Sequence, residues 1–578
     1  MGSRLVLKLV VMMAHSMTTA AAAPTYVVDI SGASDAVQLP VLVCVGLFNR
    51  AGSPHSAYVF KDANDEAWLS RTRGGLNVSL LHRTTPAEFV AKCMQPAAAG
   101  GAGAKGFILY NASRDAPRGQ KLLMPNLVTL AAVLDAVPLQ DNDVLKPAGA
   151  TLVLDSTLPS IFGTNGTAGY GALKASRYVY EHHINMTGGL AKMNPGLDVH
   201  GADKTNPPLT KNADLSLTDF IVKERLFNFF LVNGCIAGTP EHAFNEILMR
   251  HNPWAEPVTV YGYDDAWALA GDLFEAETNC VSEHNLGQSA TSGVPNLSYF
   301  SSQHKISAPL LQNPTPLASK PFNATKVYMS FVIGDGDNVA FMRGSRAAWM
   351  EQRLAHCRND SSSCFPLLWS ASPQLLHLAP DWLRWFYNIS YETENDYFVL
   401  PPSGDTYSYP SQMQPAQQAE FVANTERDCV LMNTSASVSW EFFSWWTKAL
   451  SEYFPRYTKN GVVRSFIAVN VPYMLPVEAF GLDFYKVMSG PTPTVVFRPR
   501  EWRGARATGG LNELSVSQLA KEINGYDRGT VAAIYTTSDG GFTIQNLVDL
   551  VAALQDHVEI VDHVTLAQMV AQKEGLHY

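Results

Sequence analysis

Hydrophobic and polar positions divide this chain into two regimes. Up to about residue 310 the apolar runs are short and unevenly spaced. Runs 41–48, 106–110 and 258–263 read as strands, the first two as buried ones, and the apolar run 151–155 opens the second region. Residues 124–137 have apolar side chains at helical spacing, with Pro125 in the first turn, where a missing N–H costs nothing. Residues 169–183 and the strongly apolar 218–231 also read as helices, the latter capped by Ser216 or Thr218. Between them lie an Ala/Gly insertion at 97–104, a polar loop at 194–216, and a Ser/Pro/Asn/Gln-rich stretch at 284–322 that reads as a linker.

From Lys326 the pattern becomes regular. Strand-like runs at 327–333, 366–369, 397–400, 429–432, 464–470, 494–497 and 531–535 are mostly followed by helix-like runs. That alternation predicts a multidomain α/β protein: N-terminal α/β domains followed by a C-terminal TIM-like (β/α) barrel of seven or eight strands. A doubly wound open sheet is the alternative. The expected boundaries are 1–23 for a leader, 24–148 for a first α/β domain, 149–310 for a second α/β region of one or two subdomains, 311–325 for a linker and 326–578 for the barrel.

Composition narrows the class. Of 578 residues 46% are apolar and 16% charged, with a net charge of −10, so no basic surface is offered to nucleic acid. The start of the chain has Arg4, an apolar run broken by Lys8, then Ala20 to Ala23 before Pro24, the layout of a signal peptide. No later run is long enough to span a bilayer. Asn-x-Ser/Thr sites at Asn77, Asn111, Asn165, Asn185, Asn296, Asn323, Asn359, Asn388 and Asn433 add to the expectation of a secreted or lumenal glycoprotein. The seven cysteines suggest structural disulfides, with Cys357–Cys364 the best pairing and Cys235–Cys280 the next.

In a (β/α) barrel the reacting groups stand just past the C-terminal ends of the strands. There the sequence places Gly334-Asp335-Gly336-Asp337-Asn338, Trp369-Ser370, Gly404-Asp405-Thr406-Tyr407-Ser408-Tyr409, Asn470, Arg498-Pro499-Arg500-Glu501-Trp502 and Ser538-Asp539-Gly540-Gly541. Asp335 and Asp337 could act as an acid or base beside a charged neighbour, or hold a divalent cation; the plainer reading is a turn that caps the next helix. Glu501 and Asp539 are the acids placed to partner Asp337, against a salt bridge and a turn respectively. Arg498 and Arg500 suit a ligand anion or these acids. Trp369 is a stacking platform or core; Trp440, Trp445 and Trp446, in a helix-like run, and His377 read as structural. No serine-hydrolase elbow, paired-His zinc motif, phosphate loop or dinucleotide fingerprint is present.

The run Gly404-Asp-Thr-Tyr407-Ser-Tyr409-Pro410 resembles the signature of the GxGYxYP putative glycoside hydrolases, and Asp335-Gly-Asp337-Asn338, Trp369-Ser-Ala-Ser-Pro373 and Asn395-Asp-Tyr-Phe-Val399 fit the same family. The resemblance implies small N-terminal α/β domains before a TIM-like barrel, and a sugar-related function. Thr406 stands where the signature has its second Gly, a position that a left-handed backbone would forbid to Thr. The expectation is a secreted glycosidase. Asp337 and Glu501 are its acid/base pair, Asp335 tunes Asp337, and Trp369, Asp405, Tyr407, Tyr409, Arg500 and Asp539 shape the sugar site. Its partner is a carbohydrate substrate and it needs no cofactor, unless Asp335 and Asp337 take a cation. The rival classes are a non-catalytic carbohydrate-binding protein and a metal-dependent deacetylase-like hydrolase.

Overall fold

The computed structural model describes residues 25–576 except 52, 54, 73–80, 112–120, 142, 159–167, 199–207, 210, 211, 251–257, 263–275, 285, 314–319, 362, 363, 472–483, 506–512 and 537–541. The expected leader and Asp539 lie outside the described residues.

The chain folds as a mixed α/β, multidomain protein of parallel sheets and many helices. Three small sheets come first, each contiguous in sequence. β1 (Thr25–Asp29) lies between β2 (Ser56–Phe60) and β3 (Leu81–Thr84). β4 (Phe107–Leu109) lies between β5 (Val137–Leu139) and β6 (Leu152–Asp155). β7 (Leu190–Lys192), β8 (Phe227–Phe229), β9 (Thr259–Tyr261) and β10 (Gly287–Ser289) form a four-stranded sheet in the order β10-β9-β7-β8.

Residues 41–48 are not a strand: they end the helix Asp35–Phe48, whose last ten residues are all buried. A helix covered on every side carries an unbroken apolar run, which periodicity cannot distinguish from a buried strand. The apolar stretch 218–231 also splits. Its helix stops at Glu224, Arg225 takes a left-handed backbone (φ 53), and the remainder becomes β8. The stretch read as a linker contributes β10 and the buried turn Leu297–Phe300.

The C-terminal region begins at β11 (Val327–Ile333), with β12 (Leu367–Ser370), β13 (Asp396–Val399), β14 (Ala436–Phe442), β15 (Ser465–Val471), β16 (Tyr485–Met488), β17 (Thr494–Phe497), β18 (Arg500–Trp502), β19 (Val531–Thr536) and β20 (Val558–Ile560) following. These form a six-stranded sheet, β13-β12-β11-β19-β18 with β20 also on β11, and a four-stranded sheet, β14-β15-β17-β16. Among the described residues of this region only β16 runs antiparallel. A bridge between Leu400 and Ser437 joins the two sheets, with Val438 N–H donating to Leu400 O at 2.8 Å. The parallel strands therefore neighbour one another in chain order, as the strand–helix alternation predicts, arranged as two sheets rather than one continuous ladder.

Alternation along these strands separates two cores. Val332, Val399, Val438, Trp440, Val469, Phe497, Ala533 and Tyr535 share one apolar cluster with Val561, Leu566, Met569 and Val570. Met329, Phe331, Ile333, Trp369, Phe398 and Trp502 belong to the other, which includes side chains of the flanking helices. The inner cluster is thus stoppered by the final helix, His563–Lys573.

One predicted strand of the C-terminal region is wrong. Cys429 to Leu431 end the helix Pro415–Leu431, and Asn433 (φ 52) supplies the left-handed residue just beyond it. The strand is β14, whose outward Ser437 and Ser439 hide the alternation of Ala436, Val438 and Trp440. Trp440 is accordingly a strand residue, not a helical one. Cys44–Cys93, Cys235–Cys280 and Cys357–Cys364 are disulfide-bonded, and Cys429 is a buried thiol.

Candidate active site

The sharpest candidate loop leaves β11 at Gly334. A Cβ at Gly334 would lie 2.0 Å from the Tyr535 ring, and one at Gly336 would lie 1.9 Å from the Ser370 carbonyl oxygen. The two glycines are therefore needed for close approach, and the loop between them is pressed onto the ends of β12 and β19. Gly336 N–H donates to Ser370 Oγ at 2.9 Å. Asp335 has a left-handed backbone (φ 55). Its N–H donates to the Tyr535 hydroxyl at 3.1 Å, and that hydroxyl donates to its carboxylate at 3.3 Å. Asn338 does what the plainer reading foresaw: its Oδ1 caps the following helix by accepting from Ala340 N–H (3.0 Å) and Phe341 N–H (3.2 Å).

Asp335 and Asp337 share one electrostatic environment. Both act on the fully buried Arg346, whose pKa burial draws down to about 10 while Asp335, Tyr535 and Asp337 pull it back up. It therefore stays charged at neutral pH. Arg346 also donates to Gly334 O. Burial, then Asp335 and Asp337, push the Tyr535 phenol well above its usual range, so its proton stays on as a donor.

Glu501 reaches the same end of the strands. It is paired in parallel register with Tyr535, so the two side chains share a face. Arg500 and Trp502 take the opposite face. Arg500 binds Glu522, Nε to Oε1 at 2.9 Å, and Trp502 packs in the outer core. The structure sets Asp335 and Asp337 beside Tyr535 and Arg346, which sequence reasoning missed, and puts Glu501 on the Tyr535 face of the adjacent β18. Tyr535 could have been found as the polar tip of the inward series Val531, Ala533, Tyr535. Arg346 follows the Asp-Gly-Asp-Asn loop with no signal of its own.

The other expected sugar contacts lie elsewhere. Trp369 is 2% exposed, its indole N–H donating to Asp396 at 3.0 Å in the outer core. Arg500 is committed to Glu522. Tyr407 and Tyr409 are 4% and 0% exposed, so neither offers a face to a ligand. Tyr407 packs edge-on against Trp440 at 5.2 Å, and its backbone pairs with Gln288 of β10 through two bonds of 2.9 Å. Tyr409 N–H donates to Ser282 at 2.9 Å. The Tyr-rich loop is a seam between the β7–β10 sheet and the C-terminal region. Gly404 (φ 117) is its strained position; Thr406 has no left-handed backbone.

Asp405 also turns away. It is buried against the helix Pro415–Leu431, where its N–H donates to Thr425 Oγ1 at 3.2 Å, and burial raises its pKa. Its neighbour Asp428 is pushed up to about 8 by burial and then by Asp405. Both shifts favour the protonated carboxyl. His377 is structural as expected; burial lowers it to about 4. A further missed acid, Glu441 on β14, is fully buried, accepts from Ser411 N–H (3.1 Å) and Oγ (2.7 Å), and is raised by burial to about 8. Among the described residues no three His, Cys, Asp or Glu side chains stand together as a metal-holding group, and no helix is long and apolar enough to cross a membrane.

With this geometry in place, residues 325–571 match the family model described as the GxGYxYP putative glycoside hydrolase C-terminal domain. The resemblance seen in the sequence is borne out over that span. The fold is similar to that of a crystal structure described as a putative hydrolase from Bacteroides thetaiotaomicron VPI-5482. The TM-score is 0.69 at 18% identity, over 95% of this chain and 94% of that one. No curated protein matches the chain.

Proposed function

We propose that this protein is a secreted or lumenal glycoside hydrolase that cleaves a glycan by carboxylate acid/base chemistry. The observation that carries the reading is that Asp335 and Asp337 act on Tyr535 and Arg346 at the end of β11, with Glu501 on the Tyr535 face of the adjacent β18. The sequential parallel strands support a TIM-like barrel as the frame, with this cluster at its C-terminal face. Asp337 and Glu501 are the acid/base pair. Asp335, pinned by Tyr535, adds a second negative charge beside Asp337, which favours the protonated form of Asp337 as a general acid. Arg346 limits that effect by supplying the buried counter-charge. A separation of about 5 Å between the two working carboxyls would give retention at the anomeric carbon, and about 6.5–9.5 Å inversion. No cofactor enters the proposed chemistry. The match to a glycoside hydrolase family and the three disulfides support the substrate class and the oxidising compartment.

The test is cleavage of a glycan and aryl-glycoside panel by the full chain and by Asp337→Asn and Glu501→Gln. Each substitution should lower turnover by about 100- to 10,000-fold without loss of the folded circular-dichroism signal. Unchanged cleavage in both variants would overturn the assignment. Sugar binding that survives both, with no turnover by any form, would make the protein a carbohydrate-binding one. An equimolar divalent cation that disappears in Asp337→Asn would favour the metal-dependent hydrolase.

A further inference from the structure

The helix after the Asp-Gly-Asp-Asn loop is interrupted. A π-helical turn, Met342–Arg346, separates Val339–Phe341 from Ala347–Asn359. Such turns insert an extra residue and cluster at functional sites. Two buried arginines leave this one turn for different destinations. Arg346 goes to Gly334 O and to the field of Asp335 and Asp337. Arg343 goes to the β1–β3 unit, some 280 residues earlier in the chain, where it forks onto both oxygens of Asp62 at 2.9 and 2.7 Å and onto Asp65 at 2.6 Å.

The receiving end is itself built. Asp65 is 1% exposed; it accepts from Lys61 N–H at 2.8 Å, Asp62 N–H at 3.0 Å and the Asn296 amide at 3.1 Å. The carbonyl of Arg343 accepts the Trp68 indole N–H at 2.7 Å, and Trp68 stacks on Trp382 at 4.5 Å. A bidentate carboxylate fork fixes a guanidinium in angle as well as distance.

We propose that Arg343 is a positioning residue: through it, the β1–β3 unit fixes the π-turn, and with it Arg346 and the Asp335/Asp337 loop. On this reading the N-terminal unit is a working part of the site, not an accessory domain. The proposal rests on the hydrolase reading only for what the loop does. The mechanical link from Asp62 and Asp65 to residues 334–338 stands apart from any reaction.

Hydrogen–deuterium exchange on the full chain tests it without a known substrate. Arg343→Gln should speed exchange in peptides covering 334–346, on the far side of the turn, by about tenfold or more. Glu351→Gln, which breaks the more exposed Arg71–Glu351 pair between the same two regions, should leave those peptides at the wild-type rate. If Arg343→Gln does not fold, Asp62→Asn loosens only the half-exposed arm of the fork and should shift the same peptides by a smaller factor. Faster exchange confined to 58–68, with 334–346 unchanged, would overturn the proposal, as would an equal effect from Glu351→Gln. If the exchange behaves as expected but no glycan is cleaved, the positioning role stands and the hydrolase reading falls.

Discussion

The Tyr535 hydroxyl holds Asp335 from both ends, accepting its backbone N–H at 3.1 Å and donating to its carboxylate at 3.3 Å. A left-handed Asp is costly unless its surroundings determine it, and here a single phenol does so. Tyr535→Phe keeps the ring packed against Gly334 and removes only that grip. We expect turnover to fall by about 10- to 100-fold with little change in KM, because the loss is in placing the loop rather than in binding substrate. Steady-state kinetics on whichever glycan is cleaved decides it; an unaltered kcat would mean that Asp335 needs no such hold.

Arg500→Ala separates the two faces of β18. Arg500 binds Glu522 on the helix side, while Glu501 faces inward with Tyr535. The variant should lose less than about 1 kcal/mol of stability and keep its KM. A rise in KM matching that of an inward substitution would return Arg500 to the sugar site.

Stability should decline as the medium becomes more alkaline. Burial raises Glu441 from 4.5 to about 8, so between those values the folded chain keeps a proton that the unfolded chain has released. Its contribution is full below pH 4.5 and is lost as pH rises to about 8. Asp428, raised to about 8 beside Asp405, acts in the same direction. Glu441→Gln should therefore flatten the fall in Tm between pH 5 and pH 8. Parallel Tm curves for variant and wild type would show that Glu441 is ionised in the native state.

Of the nine sequons, Asn296 should carry no glycan in the folded protein. Its amide accepts from Val59 N–H at 2.8 Å and donates to Val59 O at 2.9 Å and Asp65 at 3.1 Å, with no exposed surface. Asn185, Asn323, Asn359, Asn388 and Asn433 are exposed and open to modification. Peptide mapping after deglycosylation reads each site. Asn296→Asp should cost about 1–3 kcal/mol by removing buried donors.

One thiol per chain should react with Ellman's reagent, and only after denaturation. Three disulfides leave Cys429, which is buried in the helix Pro415–Leu431. A reading of three or more would mean that one of the disulfides is open.

The C-terminal strands were legible because inward and outward residues alternate with large apolar groups on both faces, as in β11 and β19. β14 was not, because Ser437 and Ser439 dilute its outer face while the helix end at 429–431 imitates a strand. The positions of Asp335 and Asp337 just past β11, and of Glu501 on β18, were legible because strand ends are countable. The aromatic wall was misread for a physical reason: tyrosine and tryptophan at a strand end suit a ligand and a domain seam equally well, and only burial decides. Tyr407 and Trp369 proved to be seam and core. Arg346 and Arg343 depend on a π-turn that no periodicity announces.

The Thr at position 406 has a counterpart across that seam. A Cβ on Gly287 would sit 1.7 Å from Thr406 Oγ1, so the side chain present at 406 occupies the volume missing at 287. A side chain at 406 and one at 287 therefore exclude each other. A Gly at 406, as in the signature, would open that volume to a side chain at 287. The two positions should change together in an alignment, although 118 residues lie between them in this chain.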